Sequence, residues 1–282
     1  MARTNAAQTR QKPLDSTLLT LRVRERRRLS PSFARVTLGG EELSRFAPLG
    51  RDQWFRLFLP VAEGTLSRLP KQLDTFAYLR YLAIAKTERP VLRNYTVAGF
   101  RPTGEDGPEL DVDFVIHGSA ADGTAGPAAT WAETCEPGDA VAILDEGILF
   151  TPAGGVTGPF ALVGDETALP AISGILASLP AGATGTALIE VPEAGDVRDL
   201  VAPAGVDVRW VVRGVADATP GVAVRDAARD DTAVEGVAAV PAYAWVAGEQ
   251  ALVAAMRRHW VRAGVDKRAI SFTGYWRASR GH

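Results

Sequence analysis

Three residues within four positions, Arg93, Tyr95 and Thr96 in the run LRNYTVAGF, are the first that could do chemistry. Arginine offers a planar fork matched to phosphate oxygens, tyrosine a flat face with a polar tip, and threonine a hydroxyl. Together they suit a ligand with a diphosphate at one end and a flat ring at the other, as a flavin dinucleotide has. On a strand, side chains i and i+2 share a face, so Arg93 and Tyr95 point together while Thr96 points away. One strand later DVDFVIHG ends in His117 and Gly118, and glycine at a strand end lets backbone approach a ligand closely. Taken alone, an ordinary structural strand accounts for R-x-Y-T equally well.

Other runs carry weaker signals of the same kind. GSAADGTAGPAATWAE at 118–133 leads small residues into a short helix ending near Glu133. Its N–H groups at 126–131 are open to a diphosphate, with Trp131 packed beneath, although Gly/Ala runs are commonly plain loops. GDETALPA at 164–171 sits where a strand gives way to a helix, a place that favours phosphate or a ring edge. There Asp165, Glu166 and Thr167 serve equally well as helix caps. VAGEQ at 246–250 repeats that strand-then-turn grammar, and two such turns on one sheet edge make a nicotinamide crevice. FTGYWR at 272–277 adds two aromatics, with core packing as the plainer role for Trp276. No G-x-G-x-x-G is present, and neither G-x-S-x-G nor a Ser-His or Cys-His pairing suggests a nucleophile.

The elements that must position these residues fall into two grammars. TLLTLRVRERRRL, FARVTLGG, WFRLFLP, LRNYTVAGF, ELDVDFVIHG and AVAILDEG read as six short strands separated by turn signals, the pattern of an antiparallel barrel or sandwich. Between them, LDTFAYLRYLAIAK fits helix and strand alike. TPAGGVTGP at 151–159 is a Gly/Pro-rich break. Beyond it strands FALVGD, ALIEVP, VDVRWVVR, YAWVAGE and ISFTGYW alternate with helices TALPAISGILASL and QALVAAMRRHWVRAG, which implies a parallel, helix-covered sheet. The sequence thus predicts a loose, disordered tail over 1–17, a β-barrel domain over 18–152 and an α/β domain over 158–282. The Ala-, Gly- and Asp-rich segment 214–240 reads as a loop with a short helix, and helical spacing makes His259 a packed or half-exposed residue.

Bulk properties exclude several functions. Residues 1–30 hold eight Lys/Arg against two Asp/Glu, a net +6, so with a total of −2 the remainder carries −8. The basic run RVRERRR alternates Leu21 and Val23 with charge, as on a strand with one wet face, and we expect no nucleic acid partner. No apolar run reaches the roughly 20 residues of a membrane span, and the N-terminus lacks a signal-peptide core. One cysteine, Cys135, excludes an internal disulfide or a multi-thiolate cluster and fits a cytoplasmic setting. His117, His259 and His282 offer no metal-ligand spacing, so no bound metal is expected.

In their order, SPSFARVTLGG, RNYTV, DVDFVIHG, GPAATWA, PGD, GDETALPA, WVAGE and GYWR resemble the siderophore-interacting proteins, flavin-dependent ferric-siderophore reductases related to ferredoxin–NADP reductases. The resemblance spans about residues 20–277. It implies an N-terminal FAD-binding β-barrel and a C-terminal NAD(P)H-binding α/β domain. By position, Arg93, Tyr95 and Thr96 would hold the flavin and its phosphates. Asp113, Phe114, Val115, His117 and Gly118 would line the FAD site with Ala128, Ala129 and Trp131. Asp165, Glu166, Thr167 and Ala168 would face the nicotinamide with Ala247, Gly248 and Glu249. The substrate would be a ferric siderophore, drawn in by a basic rim for which Arg80, Lys86 and Arg277 are candidates. The family usually has a second arginine two residues after the threonine, where this chain has Ala98; Arg101 is a candidate substitute. For coenzyme choice between NADH and NADPH, Arg209 and Arg213 could read a 2′-phosphate, with solvated-strand charge as the alternative. Two other functions fit the same residues: a flavoprotein with ferredoxin as donor or a quinone or free flavin as acceptor, and a non-catalytic ferric-siderophore-binding protein.

Overall fold

The computed structural model describes residues 10–13, 16–62, 64–70, 75–118, 123–152, 155, 158–214, 219–230 and 240–278. They form two compact units, residues 12–148 and the chain from Leu149 onward with Arg10 and Gln11.

In the N-terminal unit seven strands make one antiparallel sheet: β1 (Leu19–Ser30), β2 (Phe33–Gly39), β3 (Trp54–Leu59), β4 (Val91–Thr96), β5 (Gly99–Gly104), β6 (Gly107–Val115) and β7 (Ala140–Gly147). Their order is β4-β3-β7-β1-β2-β6-β5. LRNYTVAGF reads as one strand yet forms parts of two, because the chain bends at Val97 and Ala98. Val97 donates its N–H to Gln53 (2.8 Å) beside β3, and Ala98 donates to Asp111 (2.9 Å) on β6. The chain itself therefore joins the sheet's opposite ends at Val97–Ala98 where, among the described residues, no ladder joins β4 to β5. The inner face is apolar by strict alternation: Leu19, Leu21 and Val23 of β1, Ala34, Val36 and Leu38 of β2, and Leu110, Val112 and Phe114 of β6 share one core. Facing outward, the basic run of β1 meets acids, with Arg24 near Asp106, Arg26 near Glu136 and Arg28 on Glu133. The ambiguous stretch 61–90 contains helix α1 (Thr75–Ala83), and helix α2 (Pro127–Thr134) precedes β7.

The C-terminal unit is a five-stranded parallel sheet: β8 (Phe160–Gly164), β9 (Thr184–Val191), β10 (Gly205–Val212), β11 (Tyr243–Glu249) and β12 (Ile270–Trp276), in the order β10-β9-β8-β11-β12. Helices α3 (Leu169–Ala177), α4 (Val222–Asp230) and α5 (Gln250–Arg262) follow β8, β10 and β11. Chain order reverses between β8 and β11, so the crevice at their carboxyl ends is the switch point where such sheets bind ligands. The core joins Val163, Val246, Leu252, Met256 and Trp260, and His259 lies half-buried beside it. Burial, and then the charge of Arg229, push His259 below its ordinary value. Of segment 214–240, α4 is the short helix expected, and 231–239 lie outside the described residues. Among the described residues no helix is long and apolar enough to cross a membrane.

Candidate functional site

Within the N-terminal unit β4 presents Val91 and Tyr95 to the core, with Val97 just beyond its end, while Leu92 packs on a separate cluster. Arg93 therefore shares the strand face of Tyr95, and buried Thr96 takes the other. Tyr95 packs its ring 4.4 Å from that of Phe114, and Phe114 lies 5.7 Å from Trp131 on α2, so three elements meet in one aromatic cluster. Burial pushes the Tyr95 phenol upward, which keeps it neutral. Arg93 is exposed and bonds the carbonyl of Leu92 (2.8 Å), and no carboxylate holds it among the described residues.

Helix α2 begins at Gly126 with Pro127 in its first turn and, among the described residues, no side-chain cap. Ala128 and Ala129 are buried against the core, so small side chains bring the helix start close to the sheet. Uncapped first-turn N–H groups of a helix favour an anion. Gly118 sits at φ +71°, and a Cβ there would lie 2.7 Å from the Thr124 carbonyl carbon and 2.9 Å from the Ala125 nitrogen. Its freedom thus serves the chain's own turn into α2. His117 is exposed beside it.

The remaining β6 candidates face outward. Asp113 accepts from Arg35 Nε (2.7 Å) and Nη2 (3.1 Å), and Val115 shares its side of the strand. Asp111 joins this layer through Arg35, Thr37 (2.8 Å) and Arg101 (2.6 and 2.9 Å). Burial raises Asp111, but the bonds from Arg101 and Thr37 outweigh it and leave the carboxyl below its usual range. Arg101 also binds Glu109 (2.8 Å), so its guanidinium is committed to the outer face rather than standing in for the arginine absent at Ala98.

At the switch point of the C-terminal unit Asp165 is the hub. Its fully buried carboxylate accepts from the backbone of Thr167 (3.0 Å) and Glu249 (2.6 Å), the Thr167 hydroxyl and the Trp276 indole (3.1 Å). Burial, and then the neighbouring Glu166 charge, push it up. A Cβ at Gly248, φ +129°, would collide with this carboxylate. Glu249 caps α5 through the N–H groups of Ala251 and Leu252. Glu166 is fully buried and paired with Arg213 (3.0 Å), which also binds the fully buried Glu190 (2.6 Å). Ala168 and Ala247 are buried small residues beside these turns. The acids of GDETALPA and VAGEQ thus hold the turns in shape, leaving their backbone at the crevice.

Sequence reasoning missed the buried Glu166–Arg213–Glu190 trio and the Trp276–Asp165 bond. A usable signal existed, since Glu190 interrupts the apolar strand ALIEVP and a buried carboxylate requires a partner. Of the rim candidates, Arg80 and Lys86 are exposed on and after α1, and Arg277 is exposed after β12 in the other unit. Cys135 is buried, and burial raises its thiol to about 11. Among the described residues no cluster of His, Cys, Asp and Glu could hold a metal.

Residues 22–148 match the siderophore-interacting FAD-binding domain, and residues 158–279 match the siderophore-interacting protein family. The ferric vibriobactin reductase ViuB of Vibrio cholerae is 30% identical over 89% of this chain and 86% of its own. An NADPH-dependent ferric-chelate reductase of Escherichia coli is 27% identical over 89% of each. The crystal structure of SipS from Aeromonas hydrophila superimposes with a TM-score of 0.68 at 30% identity, covering 93% of this chain and 99% of that one.

Proposed function

We propose, from the premise that this chain belongs to the siderophore-interacting protein family, that it is an FAD-containing oxidoreductase reducing ferric siderophores with electrons from NAD(P)H. The observation that carries the reading is the exposed guanidinium of Arg93 on the strand face of the Tyr95–Phe114–Trp131 cluster, with the uncapped start of α2 in the same unit. These residues fit FAD: a cation with no carboxylate partner and uncapped N–H groups among the described residues for phosphate, and aromatic surface for the ring. When bound, FAD supplies the exchange between two-electron hydride chemistry and single-electron transfer.

The chain's own residues bind and orient. Arg93 and the N–H groups of Ala128 and Ala129 hold the diphosphate, while Tyr95 and Trp131, backed by Phe114, give the ring a neutral apolar wall. In the C-terminal unit Asp165 clamps the turns after β8 and β11, so that backbone at Thr167, Ala168 and Gly248 meets the nicotinamide half. The iron is substrate: hard oxygen donors hold Fe(III) tightly and Fe(II) far more weakly, so one electron per iron releases it. One NAD(P)H, giving two electrons, serves two ferric ions.

The test is anaerobic. The purified protein is charged with FAD, its spectrum recorded, and NADH or NADPH added, followed by a ferric siderophore with an Fe(II) chelator. Bleaching by nicotinamide and then reoxidation with Fe(II)–chelator colour is the expected course. A protein that takes up no FAD, or a bound flavin that neither nicotinamide bleaches, would refute the reading.

A further inference from the structure

We infer that β10, the outer strand of the C-terminal sheet, pairs antiparallel with β10 of a second copy of this chain, about a two-fold axis at Val208. Among the described residues β10 ends the sheet on one side, bonded to β9 alone. Natural sheets blunt such an edge with lysine, proline or a bulge, because its open N–H and C=O groups template another strand. β10, GVDVRWVV, contains neither lysine nor proline. Its register with β9 runs from Gly205 on Thr184 to Val212 on Val191 without a shift. At the sheet's other end β12 carries Gly274, and its register with β11 shifts between Gly248 and Glu249. β10 is the unprotected edge.

The backbone decides which groups a second strand meets. N–H and C=O groups alternate sides along a strand, and Arg213, just past β10, donates to Val191 of β9 (2.9 Å). Odd-numbered residues of β10 therefore bond β9, while the backbone of Val206, Val208, Trp210 and Val212 points outward. The Val206 N–H turns back to the Pro203 carbonyl (3.0 Å). Side chains of these four share one face, with Val206, Val208 and Trp210 half-buried and Val212 exposed. Pairing centred on Val208 suits this pattern. Val208 bonds its own copy in both directions, and Trp210 donates to the Val206 carbonyl. On the apolar face Val208 meets Val208 and Trp210 meets Val206. On the other face Asp207 meets Arg209, at non-hydrogen-bonded positions where side chains approach most closely. Asp207 and Arg209 already bond within one chain (2.5 Å), so two copies assemble four charges of alternating sign. Other registers lose this match. Centring on Asp207 or Arg209 sets like charges face to face, and centring on Trp210 puts Asp207 against Arg213, already held by Glu166 and Glu190. Charge and backbone thus fit a second copy in one register.

The experiment is sedimentation velocity of the full chain over a concentration series, with amide hydrogen exchange read at its two ends. A monomer–dimer equilibrium is expected, the Val208 and Trp210 amides gaining protection only as dimer forms, and those of Arg209 and Val211 protected throughout. Asp207→Arg and Arg209→Asp each set like charges across the axis and should weaken dimerisation about tenfold. An equimolar mixture of the two variants sets unlike charges together and should regain it. A chain that stays monomeric, a dimer indifferent to both variants, or Val208 and Trp210 amides that gain no protection overturns the inference. A mixture that fails to regain dimer overturns the register. Should a variant fail to fold, the exchange pattern of the unaltered chain decides alone.

Discussion

Among the described residues Arg93 bonds only its neighbour's carbonyl, and its side chain is exposed, so the fold gains little from it. Charged hydrogen bonds contribute about 1.5–3 kcal/mol each, so Arg93→Ala should weaken FAD binding roughly 10- to 100-fold in a fluorescence-quenching titration. The urea midpoint should move by less than about 0.5 kcal/mol equivalent. A large loss of stability instead would mean the arginine holds the barrel rather than the ligand. Asp145 on β7 is the opposite case. It is buried beside Gln53 (2.9 Å) and the Gly147 N–H (2.9 Å), and burial raises its carboxyl to about 6. A folded pKa above the unfolded value adds stability that is complete below about pH 4 and lost as pH rises through about 6. The amount is on the order of 2–3 kcal/mol. Asp145→Asn should flatten the stability profile between those limits, measured by urea unfolding at pH 4 and pH 7.

At the scale of elements, the trio of Glu166, Arg213 and Glu190 ties the turn after β8 to the ends of β9 and β10 and to the start of α4. Arg213→Ala strands two buried carboxylates, which costs about 3–5 kcal/mol and should show as a matching drop in unfolding free energy. A change under about 1 kcal/mol would mean the carboxylates find water. The sequence shows how such elements become legible. Alternation in β1 and β6 and the helical spacing of Leu252, Met256 and Trp260 announce their faces, because burial repeats at the period of the element. The break at Val97–Ala98 is not announced: LRNYTVAGF has strand-forming residues throughout, and what splits it is pairing with Gln53 and Asp111, far along the chain. The site is legible to the same degree. Residue types at Arg93, Tyr95 and Trp131 suggest their ligand, whereas the commitments of Arg101 and Arg213 depend on partners that only the folded sheet supplies.

At the scale of the molecule, each unit has its own apolar core, one around Val36, Val112 and Phe114 and the other around Val246, Leu252 and Met256. Separate cores allow separate folding. A chain cut to residues 18–152 should still take up FAD and show a flavin spectrum, yet NADH should no longer bleach it. Failure to bind FAD would place part of the flavin site beyond the N-terminal unit. The solitary thiol has a practical consequence of its own. Cys135 is shut inside that unit with its ionisation suppressed, so reagents that seek thiolate pass the native protein by. A Tyr275→Cys variant, changed at an exposed position on β12, would accept a single fluorophore. The native protein is in effect a blank page for labelling, and Cys135 an alarm that sounds when its unit opens.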